Sequence, residues 1–225
     1  MKNAENLDRK LDVWTDNYKT ETVYSMGSYS PSTILLSQSL QWHYSFGIGF
    51  FGFHYIRAVK EHDPAFEQES LQTLKNLISA FDLDSNLLGN LDGCKRWGFT
   101  DFWDNVLRKI SLEIGDSLGP EAQQMVKLGF WLAAVYAGLV EESSSDDDDR
   151  IKRYLEYLEG HLSELNASSQ EAGIPESLIK PLTDSIEFLQ FPKTPATARK
   201  CLQTLKLGFY DLLCTEKSQD EIQKI

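Results

Sequence analysis

Residues 42–56 read WHYSFGIGFFGFHYI and residues 128–140 read LGFWLAAVYAGLV. Neither stretch contains an acidic or strongly basic residue, and all of 128–140 and most of 42–56 are apolar on every side of a helical wheel. A helix without a polar face must be covered all round. Both runs fall short of the roughly 20 apolar residues that cross a bilayer. They therefore predict two central helices inside a protein core, with amphipathic helices packed around them.

The small residues within these runs set how closely the two helices approach. Ser45, Gly49 and Gly52 recur at i, i+4 and i+7, and Gly129, Ala133 and Ala137 at i, i+4 and i+8. Small stripes let helix backbones come together. Each glycine inside a helix costs about 1 kcal/mol against alanine, so close packing must offset it. Gly47, Gly49 and Gly52 also spell a literal G-x-G-x-x-G. A dinucleotide loop needs a strand before it and a helix N-terminus after it. Here the glycines lie within an apolar run, and Phe50 and Phe51 are too bulky for a phosphate cradle. The motif reads as helix-packing contacts.

Helical periodicity covers the remaining chain. Stripes run through Leu7, Leu11, Trp14 and Tyr18; Leu71, Leu74, Leu77, Ile78 and Phe81; and Trp103, Val106, Leu107, Ile110 and Ile114. Others run through Ile151, Leu155, Leu158, Leu162 and Leu165; Leu178, Leu182, Ile186 and Leu189; and Leu202, Leu205, Phe209 and Leu212. Ser30-Pro31, Asp63-Pro64, Gly119-Pro120 and Thr194-Pro195 precede periodic segments, where proline suits a first helical turn. Thr100 is placed to cap the helix carrying Trp103. The expectation is an all-α bundle or short array of about eight helices. Gly49-Phe50, Gly129-Phe130 and Gly208-Phe209 are spaced by 80 and 79 residues, which suggests two pseudo-repeated three-helix units. The expected organisation is an N-terminal unit over 1–140 with hub helices 31–60 and 120–140, then an acidic linker at 141–150. A C-terminal unit over 151–225 packs on the first, and one compact domain is the other arrangement.

The chain carries 34 acidic against 22 basic residues. Six of those acids, Glu141, Glu142 and Asp146 to Asp149, stand together without a base between them; without them 28 acids still face 22 bases. Such a surface repels nucleic acid and anionic lipid, and favours either solubility alone or a basic protein partner. Three scattered cysteines, Cys94, Cys201 and Cys214, make no disulfide framework. With a first segment lacking an apolar signal stretch, the expectation is a cytoplasmic protein without membrane insertion.

No metalloprotease, zinc, P-loop or nucleophile-elbow pattern is present, and neither a metal nor a cofactor is expected. The run Asp146 to Asp149 lacks the spaced ligands and turn glycine of a calcium loop. Two candidate sites remain. Residues 92–103, DGCKRWGFTDFW, set bases and aromatics before a helix, and Lys95, Arg96 and Trp97 are the candidate partner-binding residues because Trp and Arg dominate binding hot spots. The alternative is an apolar pocket lined by Trp42, His43, Phe46, Phe50 and His54. His43 and His54 lie 11 positions apart, about 16 Å along a helix, so they do not share a metal ion. The leading expectation is a non-enzymatic interaction module — an acidic adaptor, inhibitor or immunity-type protein — that binds a basic partner. A carrier or enzyme for an apolar small molecule is the second. Scattered Asp, Glu and His residues could still assemble a reaction site in space.

Overall fold

A computed structural model describes residues 38–81, 83, 85–89, 91–143 and 147–213. Among them are eight α-helices and no strand. These are α1 (Gln38–Glu61), α2 (Pro64–Ala80), α3 (Phe99–Phe102), α4 (Arg108–Leu118), α5 (Pro120–Ser143), α6 (Asp148–Glu171), α7 (Glu176–Leu189) and α8 (Pro195–Leu213). Two 3-10 turns, Ser85–Leu88 and Leu91–Arg96, lie between α2 and α3, and a π-helical turn, Trp103–Leu107, joins α3 to α4. The chain is an all-α bundle. Its Leu7–Tyr18 stripe, Pro31, the first residues of the expected first hub, and Cys214 onward lie outside the described residues.

Prolines and their neighbours set the starts. Pro64, Pro120 and Pro195 are the first residues of α2, α5 and α8, where a missing N–H costs nothing. The Asp63 carboxylate accepts the Phe66 N–H at 3.0 Å, and the Thr194 hydroxyl accepts the Thr197 N–H at 3.3 Å. His62 closes α1 in the left-handed region at φ 58°, and the Asp63 N–H returns to the Ala58 carbonyl at 3.0 Å. That left-handed residue turns the chain back, so α2 packs along α1.

The two apolar helices are the hubs. Every residue from Tyr44 to Phe53 in α1 is buried, and α1 packs most extensively on α5. They cross where Gly49 meets Gly129. A methyl group on Gly49 would overlap the Val126 carbonyl oxygen and stand 2.7 Å from the Phe130 nitrogen. One on Gly129 would overlap the Phe46 carbonyl oxygen and stand 3.0 Å from the Phe50 nitrogen. Each backbone thus occupies the space that a side chain on the other would need. Gly52 serves a different neighbour, the Leu107 side chain, whose Cδ1 would lie 2.6 Å from an added methyl. The close approach seats Phe46 and Phe130 with no exposed surface, and full burial of such a side chain is worth about 2 kcal/mol.

The amphipathic helices wrap this pair. Leu74, Leu77 and Ile78 of α2 are buried, as are Ile151, Leu155, Leu158, Leu162 and Leu165 of α6. In α7 the buried stripe is Ile179, Leu182, Ser185 and Leu189, while Leu178 and Ile186 are half-buried. Ser185 tolerates burial because its hydroxyl donates to the Pro181 carbonyl at 2.7 Å. Gly208 of α8 is buried where a methyl group would overlap the Pro181 ring. Buried apolar side chains from Tyr44 to Leu205 form one contiguous cluster.

Two local expectations are corrected. Thr100 is not the cap: α3 begins at Phe99, Gly98 is its N-cap, and the Asp101 carboxylate accepts the Gly98 N–H at 3.0 Å. Residues 141–150 are not a linker throughout. Glu141 and Glu142 continue α5, and Asp148 opens α6. The carboxylates favour this helix start. Asp147 accepts the Arg150 N–H at 3.0 Å, and Asp148 and Asp149 sit in the first turn, at the positive end of the helix dipole. Arg150 then ties the two helices together, reaching Glu142 at 2.8 Å and Glu141 at 3.4 Å.

Candidate functional site

Lys95, Arg96 and Trp97 stay together but do different work. The 3-10 turn Leu91–Arg96 leaves Lys95 and Arg96 exposed, while Trp97 is half-buried against the core. Its indole lies over Gly93, where a methyl group would come within 2.9 Å of the ring. Cys94 is buried, its carbonyl accepts the Trp97 N–H at 3.1 Å, and Lys60 reaches the Lys95 carbonyl at 3.4 Å. Phe99 stacks on Phe53 at 5.0 Å between ring centres. Phe102 is buried and Trp97 and Trp103 are half-buried, so these aromatics anchor the stretch, while Lys95, Arg96 and Phe99 are exposed.

The second set lies along α1. Phe46 and Phe50 are buried at the α5 crossing, with their rings stacked 6.2 Å apart. His54 is half-buried and meets Phe50 at 4.5 Å, Phe53 at 5.8 Å and Phe66 at 5.7 Å. Trp42 and His43 are half-buried about three turns before His54. None of the five lines the groove described next.

That groove was not legible in the sequence. Trp103, Arg108, Ser111, Pro120, Gln123, Gln124, Lys127 and Ala172 enclose about 360 Å³. They come from the π turn, α4, the first two turns of α5 and the residue after α6. Across the π turn the Arg108 N–H bonds back five residues to the Trp103 carbonyl. The Asn105 carboxamide, in the π turn, donates to the Asp101 carbonyl of α3 at 2.7 Å. Trp103 is held against Phe130 at 5.3 Å and Trp131 at 6.2 Å. Gln124 donates to Ser168 at 2.8 Å and Ser169 at 3.3 Å, which ties α5 to α6.

From Trp131 the aromatic contacts continue outward across α6. The His161 ring meets Trp131 edge-on at 5.4 Å, and Tyr157 lies parallel to His161 within 8° at 6.1 Å. Tyr157 is 67% exposed. Burial lowers the pKa of His161, and Lys127 lowers it further against an opposing pull from Glu164. One turn before Tyr157, Tyr154 is half-buried on Gly138 and donates to the Val135 carbonyl at 3.3 Å. Burial raises its pKa strongly, and Glu142, Tyr157 and Glu141 add to the rise. At the α5–α6 corner, Glu141 keeps 76% of its side chain in solvent, and Asp147, Asp148 and Asp149 are exposed.

Among the described residues, no three His, Cys, Asp or Glu side chains gather as metal ligands, and no helix is long and apolar enough to cross a membrane. No protein-family model matches the chain, and neither the curated proteins nor the solved structures compared with it show a significant similarity.

Proposed function

We propose that the protein is a non-enzymatic interaction module that binds a basic protein partner through the α6 surface. The observation that carries this reading is Tyr157, an aromatic ring 67% exposed yet held parallel to His161, on the helix that starts at the exposed carboxylates Asp147, Asp148 and Asp149. Rigid, exposed Tyr side chains supply contact area at low entropic cost, and they are enriched at binding hot spots. The flanking acids supply steering and choice of partner more than raw affinity. A surface of this sign disfavours nucleic acid. The same reading places the module in the cytoplasm, where the buried thiols of Cys94 and Cys201 stay reduced.

The test is capture from the source cells with three baits. These are the wild type, Tyr157→Ala, and a triple Asp147→Asn, Asp148→Asn, Asp149→Asn variant that keeps the cap, because Asn caps as well as Asp. A basic protein retained by the wild type at about 50 mM salt, and lost by both variants and at about 300 mM salt, is the expected result. Equal retention by all three baits, or retention of acidic proteins only, refutes the reading.

A further inference from the structure

We infer that the groove between the π turn, α4 and the start of α5 is a second binding site. It takes a small organic anion with a flat unsaturated body, such as an aromatic carboxylate. Charge is the first argument. Acids outnumber bases in this chain, yet the ionisable side chains lining the groove are two cations, Arg108 and Lys127. Among the described residues no carboxylate pairs with either of them. The acid at the start of α5, Glu121, does not line the groove, and its carboxylate instead lies by Gly119 and Gly173. The N-terminal end of the 24-residue α5, represented by Pro120 and Gln123, adds the positive end of a helix dipole to the same wall.

Shape and donors supply the second argument. A volume of about 360 Å³ is at the small end of ligand sites. Trp103 offers a flat apolar surface whose position is fixed by Phe130 and Trp131. Gln123 adds a carboxamide that can donate to an anion or accept from a ring substituent, while Gln124, its amide N–H groups already given to Ser168 and Ser169, offers a carbonyl that can accept from such a substituent. Gly115 makes room for Gln123, whose Oε1 would lie 2.8 Å from any methyl there. The third argument is the π turn itself. One extra residue in the turn rotates everything after it by about 100° relative to a continuous α-helix, and such turns recur at functional sites. It sets Trp103 before the insertion and Arg108 after it on the same wall.

The probe is 2-naphthoate, with 2-naphthamide and inorganic phosphate as comparisons, each titrated into the full chain. Binding is read from tryptophan quenching and from equilibrium dialysis. The carboxylate is expected to bind at least about tenfold more tightly than the neutral amide, a difference of ~1.4 kcal/mol. Arg108→Gln and Lys127→Gln should each weaken it by about tenfold, whereas the equivalent charge removal Lys75→Gln, on the exposed face of α2, should leave it unchanged. Circular dichroism of the variants checks that they are folded. Equal affinity for acid and amide overturns the anion assignment. Phosphate that displaces naphthoate at equal concentration overturns the flat body. Binding that survives both Gln substitutions places the ligand elsewhere and overturns the site.

Discussion

Replacing Gly49 by alanine adds one methyl group where the backbones of α1 and α5 cross. Two effects oppose each other. Alanine favours the helix by about 1 kcal/mol over glycine. Against this, the methyl overlaps the Val126 carbonyl oxygen and lies 2.7 Å from the Phe130 nitrogen, both backbone atoms that cannot rotate aside. Reaching a van der Waals distance of ~3.5 Å from that nitrogen alone requires α1 and α5 to separate by roughly 0.8 Å. A gap of that size forfeits a quarter to a half of each contact's dispersion energy, and a buried side chain makes some 40–60 contacts of ~0.1–0.2 kcal/mol. Phe46, Phe50, Val126 and Phe130 all sit at this crossing. Partial relaxation leaves a cost of about 4 kcal/mol, above the usual ~1–3 kcal/mol of overpacking because the atoms met are backbone, and a net loss of ~3 kcal/mol. For a chain of this size that lowers Tm by roughly 6–12 °C.

Gly160→Ala is the control. Gly160 is exposed within α6 and nothing lies within 4 Å of an added methyl, so only the propensity term acts. It should stabilise by about 0.5–1 kcal/mol. Urea unfolding followed by tryptophan fluorescence, with thermal circular dichroism, measures both variants. The double variant Gly49→Ala/Gly129→Ala should cost less than the two single changes together, because one separation relieves both overlaps. If Gly49→Ala is neutral or stabilising like Gly160→Ala, the backbone contact between the hubs is wrong, and the account of why these glycines stand inside a helix fails with it.

Four further outcomes are expected. Asp63→Ala removes the acceptor of the Phe66 N–H and should lose about 1 kcal/mol in chemical unfolding, whereas Asp63→Asn should lose little. Burial pushes the Cys201 thiol from 9.0 up to about 11, so the unfolded chain releases this proton first and stability falls as pH rises from about 9 to 11; Cys201→Ala should flatten that slope in urea midpoints. His161 is shifted the other way, by burial above all, with Glu164 opposing and Lys127 assisting, so the unfolded chain binds its proton first and stability falls as pH drops below 6.5; an NMR titration of its ring should give a midpoint under that value. Tyr157→Ala removes an exposed ring and should shift stability by no more than about 0.5 kcal/mol, and a larger loss would show that the ring is part of the fold rather than a contact surface.

How much of this was legible follows from the range over which each feature is encoded. The hubs were readable because all-round apolarity and small residues at helical spacing are local facts, and burial of Tyr44 to Phe53 follows from them. The acidic stretch misled because helical periodicity is a pattern of apolar residues, and none occurs between Val140 and Ile151. What those residues possess is polar helix logic, with a capping Asp147, acids in a first turn and an arginine three residues on; a count of charges does not show it. The groove is the harder case. Its wall draws on residues from 103 to 172, and none of Arg108, Gln123 or Lys127 is unusual on its own helix. Their meeting depends on the π turn, and nothing in WDNVL marks an extra residue in a helical turn. The surface proposed to bind and the groove proposed to bind also differ in sign, although Trp131 touches Trp103 on one side and His161 on the other. Net charge therefore describes the molecule's approach to a partner, and the two cations that line the groove decide what it accepts.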